Sequence, residues 1–266
     1  MEQTGDLRLQ SRILYKDENC VVINKLAGEA AQSAAKLPAS NKAKNNEAPG
    51  IVNLPKELKK LFNTKIAQAV HRIDVPVTGC VLFALNSNAL KFLNDAFAGK
   101  SDIPIDKRYW AIIEKPSFNL PESGCLTHWI EVNSRVNKSF AYNEDSQLTQ
   151  RAQLTQRSPG RKKAVLNYKI KGEGDHYLFM EILLVTGRHH QIRCQLAALD
   201  LHIKGDVKYG ARRNEKYGGI RLHARSLSFP KLREASPEVS LSESEIINII
   251  TKPPVMDNLW KAFPCN

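Results

Sequence analysis

The sequence predicts an α+β protein: β-rich runs outnumber helical ones, and the two do not alternate strictly as a doubly wound parallel sheet requires. Ile13-Leu14-Tyr15 and Cys20 to Lys25 read as two strands around the turn Lys16-Asp17-Glu18-Asn19. The stretch 29–50 is rich in Ala, Lys, Asn and Ser without periodicity and reads as a mobile surface loop. Leu54, Leu58 and Leu61 share one face of a short helix over 54–62. Gly79 to Leu85 has the continuous apolar character of a strand buried on both faces. Ser87 is placed to cap the next helix, which carries Leu90, Leu93 and Phe97 and ends at Gly99. Tyr109 to Ile113, Ala164 to Ile170, Tyr177 to Val185 and Arg221 to Leu227 read as strands. Arg188 to Leu199 switches to helical spacing through Ile192, Leu196 and Leu199.

Charge narrows the partners. Among 266 residues, 39 Lys and Arg stand against 27 Asp and Glu, a net charge of +12. Such an excess suits a polyanion, because neutralising phosphates releases counterions; a basic protein without a nucleic-acid role fits the count equally well. Arg151, Arg157, Arg161, Lys162 and Lys163 concentrate part of that charge. The five cysteines are scattered and never form a C-x-x-C pair, which argues against a disulfide framework or a cysteine zinc site. The polar start, Met1 to Gln10, holds no apolar signal core, and no apolar run is long enough to span a bilayer. The expectation is a soluble cytoplasmic protein that does not engage a membrane.

Four segments could carry chemistry. In His71-Arg72-Ile73-Asp74-Val75-Pro76-Val77-Thr78-Gly79, a carboxylate sits where a turn meets a buried strand, accessible yet able to be desolvated. The same residue could equally bond its own backbone in an Asx-type turn. Thr186-Gly187-Arg188-His189-His190-Gln191-Ile192-Arg193 crowds polar groups at a strand-to-helix junction, with two guanidinium forks suited to carboxylate or phosphate. Adjacent His189 and His190 invite a metal, but helical metal ligands stand three or four apart. Gly205-Asp206-Val207-Lys208-Tyr209-Gly210 is a tight turn offering a Lys and an aromatic face, and Arg221 to Leu227 alternates as a strand.

Taken in order, these segments resemble the RluA-type family of RNA pseudouridine synthases. Ile13 to Asp17 with Ile23-Asn24-Lys25-Leu26-Ala27-Gly28 is similar to the family's opening strand pair. His71 to Asp74 with Thr78-Gly79 is similar to its active-site motif, and Lys107-Arg108-Tyr109-Trp110-Ala111 to its tyrosine motif. Thr186 to Arg193, Gly205-Asp206 with Tyr209-Gly210, and Leu222-His223-Ala224 continue the series. The similarity runs from about Ile13 to Phe229 and more weakly to Trp260. Leu26 stands where the family usually has Pro, Val77-Thr78 replaces a commoner Thr-Ser, and Gln195 sits where His is frequent, which is expected to alter substrate contacts.

The resemblance implies a curved, mixed, mostly antiparallel sheet flanked by helices and loops. It implies a catalytic domain over 13–266 behind an extension of 1–12 that leaves no room for a separate RNA-binding module. The implied activity isomerises uridine to pseudouridine in structured ribosomal or transfer RNA. The bond from ribose to the base nitrogen is broken and remade to a ring carbon, with no cofactor or metal and with the base flipped from its stack. Asp74 corresponds to the catalytic carboxylate, Arg193 to the basic residue that pairs with it, and Tyr109 to the tyrosine that stacks on the base and handles a proton. Arg72 corresponds to the residue filling the vacated stack. His71, Lys107, Arg188, His190, Gln191 and Lys208 are expected at the RNA. RNA is the only partner expected, and a monomer the default.

Two other classes fit the residues. One is an RNA-binding or chaperone protein of the same fold without catalysis, whose signature would be a missing Asp, Tyr or Arg. The other is a metal-dependent hydrolase built on His189, His190 and His223, which a chelator would silence.

Overall fold

The computed structural model describes residues 9–32, 51–101, 103–143, 160–216, 218–232 and 245–262. In chain order the first elements are β1 (Ile13–Lys16), β2 (Cys20–Lys25), β3 (Glu29–Ala30), β4 (Val52–Asn53), α1 (Leu54–Leu61), β5 (Gln68–Ala69), β6 (Thr78–Ala84) and α2 (Ser87–Phe97). Then come β7 (Asp106–Glu114), β8 (Ser123–Asn133), β9 (Lys138–Tyr142), β10 (Lys162–Glu173), β11 (Tyr177–Leu184) and α3 (Gln191–Ala197). β12 (Leu222–Pro230), β13 (Ile246–Ile250) and α4 (Asn258–Lys261) close the order. The α+β expectation holds. By its internal contacts the chain forms two compact units: one holds 43–107 and 223–256 with the N-terminal strands, the other 108–222 with the C-terminal helix.

In the first unit β6 is the central strand. It runs antiparallel to β2, Lys25 facing Gly79 and Cys20 facing Ala84, and at its start it pairs parallel with β12, Thr78 facing His223 and Gly79 facing Ala224. β1 flanks β2 and β13 flanks β12, both antiparallel. Period-two alternation sends Cys20, Val22, Cys80, Leu82, Ala84, Leu227, Phe229, Ile247 and Ile249 to one face, where Ala89 and Leu93 of α2 cover them. Fully burying a Leu or Phe of this kind stabilises by about 1.5–3 kcal/mol. Asn86, not Ser87, caps α2, because its Oδ1 accepts the Ala89 N–H at 2.8 Å.

The second unit is an antiparallel sheet in the order β7-β11-β10-β8-β9. β8, β9 and β13 were not legible as strands, since β8 mixes Gly, Thr, His and Glu in a half-exposed pattern. The helix expected from Arg188 starts at Gln191, because His190 adopts a left-handed conformation (φ 51°) that cannot continue a helix backwards. Arg12, the last residue of the expected N-terminal extension, is buried, and its two NH groups each donate to a Glu29 carboxylate oxygen at 2.8 Å. Glu29 itself lies in a strand paired parallel with β4, not in a loop; positions 33–50 of that expected loop, and Arg151 and Arg157 of the basic cluster, lie outside the described residues.

Gly79 shows why β6 tolerates one residue only at this point. Its φ is +116°, and a Cβ there would stand 2.3 Å from the Ala224 carbonyl oxygen and 2.6 Å from the Ala224 nitrogen. Both atoms are backbone and cannot rotate away. Gly79→Ala should therefore lower unfolding free energy by about 2 kcal/mol or more, seen as a lower urea midpoint with an unchanged slope.

Candidate active site

Asp74 opens a tight turn that delivers the chain into β6. Its backbone carbonyl accepts the Val77 N–H at 3.0 Å, a main-chain bond that closes the turn. The next carbonyl, Val75, accepts the Gly28 N–H at 2.9 Å and the Lys25 ammonium at 3.0 Å. Asp74 is half-buried and Arg72 exposed. Three motifs read separately in the sequence thus meet on adjacent strands: Lys25 on one side of Gly79, His223-Ala224 on the other.

The histidines of these motifs are structural and neutral. His71 Nε2 accepts the Leu82 N–H at 3.2 Å, and its ring stacks on Phe97 at 5.1 Å with the Lys107 ammonium 5.8 Å from the same Phe97 ring. Burial, then the charge of Lys107, pushes His71 down to about 3. Burial also lowers Lys107 below the ordinary lysine range. His223 is fully buried, lying 2.9 Å from the Thr78 hydroxyl through Nδ1 and 3.1 Å from the Thr251 carbonyl through Nε2. The carbonyl requires a donor, so Nε2 carries the proton. Burial first, and the Arg225 charge after it, hold His223 at about 3 although the Thr251 carbonyl opposes the shift.

The junction before α3 is built on β10, in the second unit. Thr186 Oγ1 accepts the Val165 N–H at 2.9 Å and donates to Gln191 Oε1 at 2.9 Å. The same Oε1 accepts the Arg188 N–H at 2.9 Å, while Gln191 Nε2 donates to the Val165 carbonyl at 3.1 Å. One amide thereby fixes where α3 begins. Gln191, 3% exposed, is spent inside the protein rather than turned to a ligand. His190 is buried too, its Nδ1 2.9 Å from the Tyr209 hydroxyl, and its ring stacks on His189 at 3.8 Å. Tyr209 offers no open aromatic face: it is buried, and its hydroxyl accepts the Ser139 N–H at 2.8 Å. Among the described residues no group of three or more His, Cys, Asp or Glu is placed to hold a metal ion.

Arg193 projects from α3 into a buried bidentate pair with Asp206, Nε to Oδ2 at 2.6 Å and Nη2 to Oδ1 at 2.8 Å, while its guanidinium lies 4.8 Å from the Tyr209 ring centre. Asp206 stands in the Gly205-Asp206 motif that the sequence shows, but the sequence assigned it no role as the partner of Arg193. Tyr109 is buried on β7, opposite Ile182. Arg188 and Lys208 are exposed, anchored by the carbonyls of Lys163 at 3.0 Å and Asn137 at 2.5 Å. Gln195 is not a substrate contact: it is fully buried and its amide donates to the Leu126 carbonyl at 3.1 Å. Arg161 is likewise withdrawn from the basic cluster by Glu131 at 3.0 Å and the Tyr142 ring at 4.0 Å, leaving Lys162 and Lys163 exposed.

A cavity of about 1270 Å³ in the second unit lies at the Glu114 end of β7, away from Tyr109. Its buried cations are paired with carboxylates, Lys204 with Glu215 and Arg221 with Glu215 and Asp257.

A family model for RNA pseudouridylate synthases matches residues 19–198. The chain belongs to the RNA pseudouridylate synthase family. The ribosomal large subunit pseudouridine synthase C of Rickettsia felis is 32% identical over 228 residues, covering 81% of this chain and 61% of that protein. An uncharacterised RNA pseudouridine synthase, YlyB of Bacillus subtilis, is 24% identical over 82% of this chain and 63% of its own length. The chain therefore spans about three fifths of these two relatives. The solved human RNA pseudouridylate synthase domain containing 1 superposes with a TM-score of 0.66 at 20% identity, over 96% of this chain and 87% of that one, which shows the fold to be that of pseudouridylate synthases. Among the described residues no helix is long and apolar enough to cross a membrane.

The neutral histidines give this synthase-family protein a defined acid response. Both fold with pKa values near 3, below the ordinary 6.5, so their stabilisation is complete above about pH 6.5 and lost as pH falls toward 3. Between pH 6.5 and 5, where carboxylates stay ionised, each should remove up to about 1.4 kcal/mol per pH unit. Urea unfolding across that window should show the slope, and His71→Gln, which keeps an acceptor for Leu82, should take away its share.

Proposed function

We propose that this chain isomerises uridine to pseudouridine in a structured RNA, with Asp74 as the catalytic carboxylate. The observation that carries the reading is the Asp74 turn: a half-buried carboxylate just ahead of β6, where β2 and β12 flank the start of that strand, in a chain of this family. The C1′–N1 bond of uridine breaks, C1′ bonds to C5, N1 gains a proton and the C5 proton is released to solvent. An ionised carboxylate suits either attack on the nucleotide or removal of a sugar proton. The family motifs support Tyr109 as the residue that meets the flipped base and Arg193 as the cation that keeps the catalytic carboxylate ionised. The bidentate bond from Asp206 supports Arg193 in that task by locking its rotamer. Exposed Arg72, Arg188, Lys208, Lys162 and Lys163 support contact with RNA; His71, His190 and Gln191 support the site from within. Relatives named for the large ribosomal subunit make its RNA the first substrate to test. The reading further takes the chain as a monomer acting in the cytoplasm without a protein partner.

Asp74→Asn keeps shape and hydrogen-bonding capacity but is neither a useful nucleophile nor a base. It should fold, bind RNA within a few-fold of wild type, and release no tritium from RNA carrying uridine labelled at C5. Normal release by Asp74→Asn would refute the assignment, and an inactive wild type on RNA from its own cell would favour an RNA-binding protein of the same fold. Tyr109→Phe keeps the ring and removes the hydroxyl, so it should bind RNA normally and turn over at least ~10² slower if that hydroxyl moves a proton. Unchanged turnover would reduce Tyr109 to a stacking surface.

A further inference from the structure

Lys25 is a lysine that hydrophobic patterning alone does not explain. It ends β2, after Cys20, Val21, Val22 and Ile23, and is 0% exposed. A buried ammonium is costly unless it is bonded and compensated. Two of its three N–H groups donate to backbone carbonyls, Leu26 at 2.7 Å and Val75 at 3.0 Å. Val75 follows Asp74, so the second bond grips the turn one residue past the carboxylate.

The surrounding charges pair off. Arg12 and Glu29 form their own bidentate bond, and Glu29 also accepts the Leu26 N–H at 2.8 Å. Asp74 is the other acidic group that acts on Lys25, and Arg12 the basic one. Glu29 and Asp74 both favour the protonated form of Lys25, and Arg12 opposes it. We propose that Lys25 is a positioning residue for Asp74, fixing the turn through the Val75 carbonyl and placing its ammonium charge close to the carboxylate. This rests on the reading of Asp74 as the catalytic group. Burial, the largest influence, lowers Lys25 to about 7, against the favourable charges of Glu29 and Asp74. Lys25 therefore sits at the edge of keeping its proton, and Asp74 helps to keep it there.

Coupling of this kind is reciprocal, so each residue must report on the other. The first measurement needs no activity: NMR titration of lysine side chains in labelled protein, with the Lys25 signal assigned by its loss in Lys25→Gln. In wild type it should titrate near 7, and in Asp74→Asn distinctly lower. The second compares Lys25→Gln with wild type by tritium release under single turnover with saturating enzyme, on total RNA lacking the modification. Lys25→Gln keeps a donor for a carbonyl and removes the charge. It should bind RNA within a few-fold of wild type and react at least ~10-fold slower. An unchanged single-turnover rate, or a Lys25 titration indifferent to Asp74→Asn, would overturn the proposal. Should Lys25→Gln fail to fold, its signal is assigned by Lys25→Arg and the titration in wild type and Asp74→Asn decides alone. Tritium release by Asp74→Asn would instead sink the catalytic reading and leave the coupling standing.

Discussion

The approach of two backbones at Gly79 and Ala224 constrains everything near Asp74. A parallel pairing this close brings β12 to the start of β6, and only a residue without a side chain admits it. On the other edge of the same glycine stands Lys25. The turn that carries Asp74 enters between them and inherits their positions, so the carboxylate is set by strands rather than by a free loop. Sites built on regular elements hold geometry better than sites built on loops.

Around that crossing, buried polar groups are used as fasteners. His223 joins Thr78 of β6 to Thr251, His71 joins its own segment to Leu82, and Arg12 ties the N-terminal turn to Glu29. Each replaces hydration with a specific partner, which makes the native arrangement unique at little net gain in stability. In the second unit the same logic fixes α3 through Gln191 and locks Arg193 against Asp206.

Much of this was legible in the sequence, for identifiable reasons. β2, β6 and β11 are continuous apolar runs, and the helix over 54–61 shows its leucine face, so period and composition alone place them. β8 escaped because its outward residues are polar and its inward ones include His128, so no alternation stands out. The sequence singles out Asp74 and Arg193 as candidate site residues; Lys25 and Asp206 stand in motifs it also shows, but without a role assigned to either. A partner fifty residues away, or thirteen, leaves no periodic trace; only the folded chain reveals that Lys25 reaches the carbonyl of Val75.

Gln191 has a consequence for how this protein can change over generations. Its oxygen serves two donors, the Thr186 hydroxyl and the Arg188 N–H, while its nitrogen serves the Val165 carbonyl. Glutamate has the length but no donor, asparagine has both groups but is one methylene too short, and leucine has neither. No single-residue neighbour reproduces the set, so drift at this position must pass through a less fit intermediate or wait for a compensating change at Thr186. The junction is thus an evolutionary ratchet: easy to keep and hard to leave.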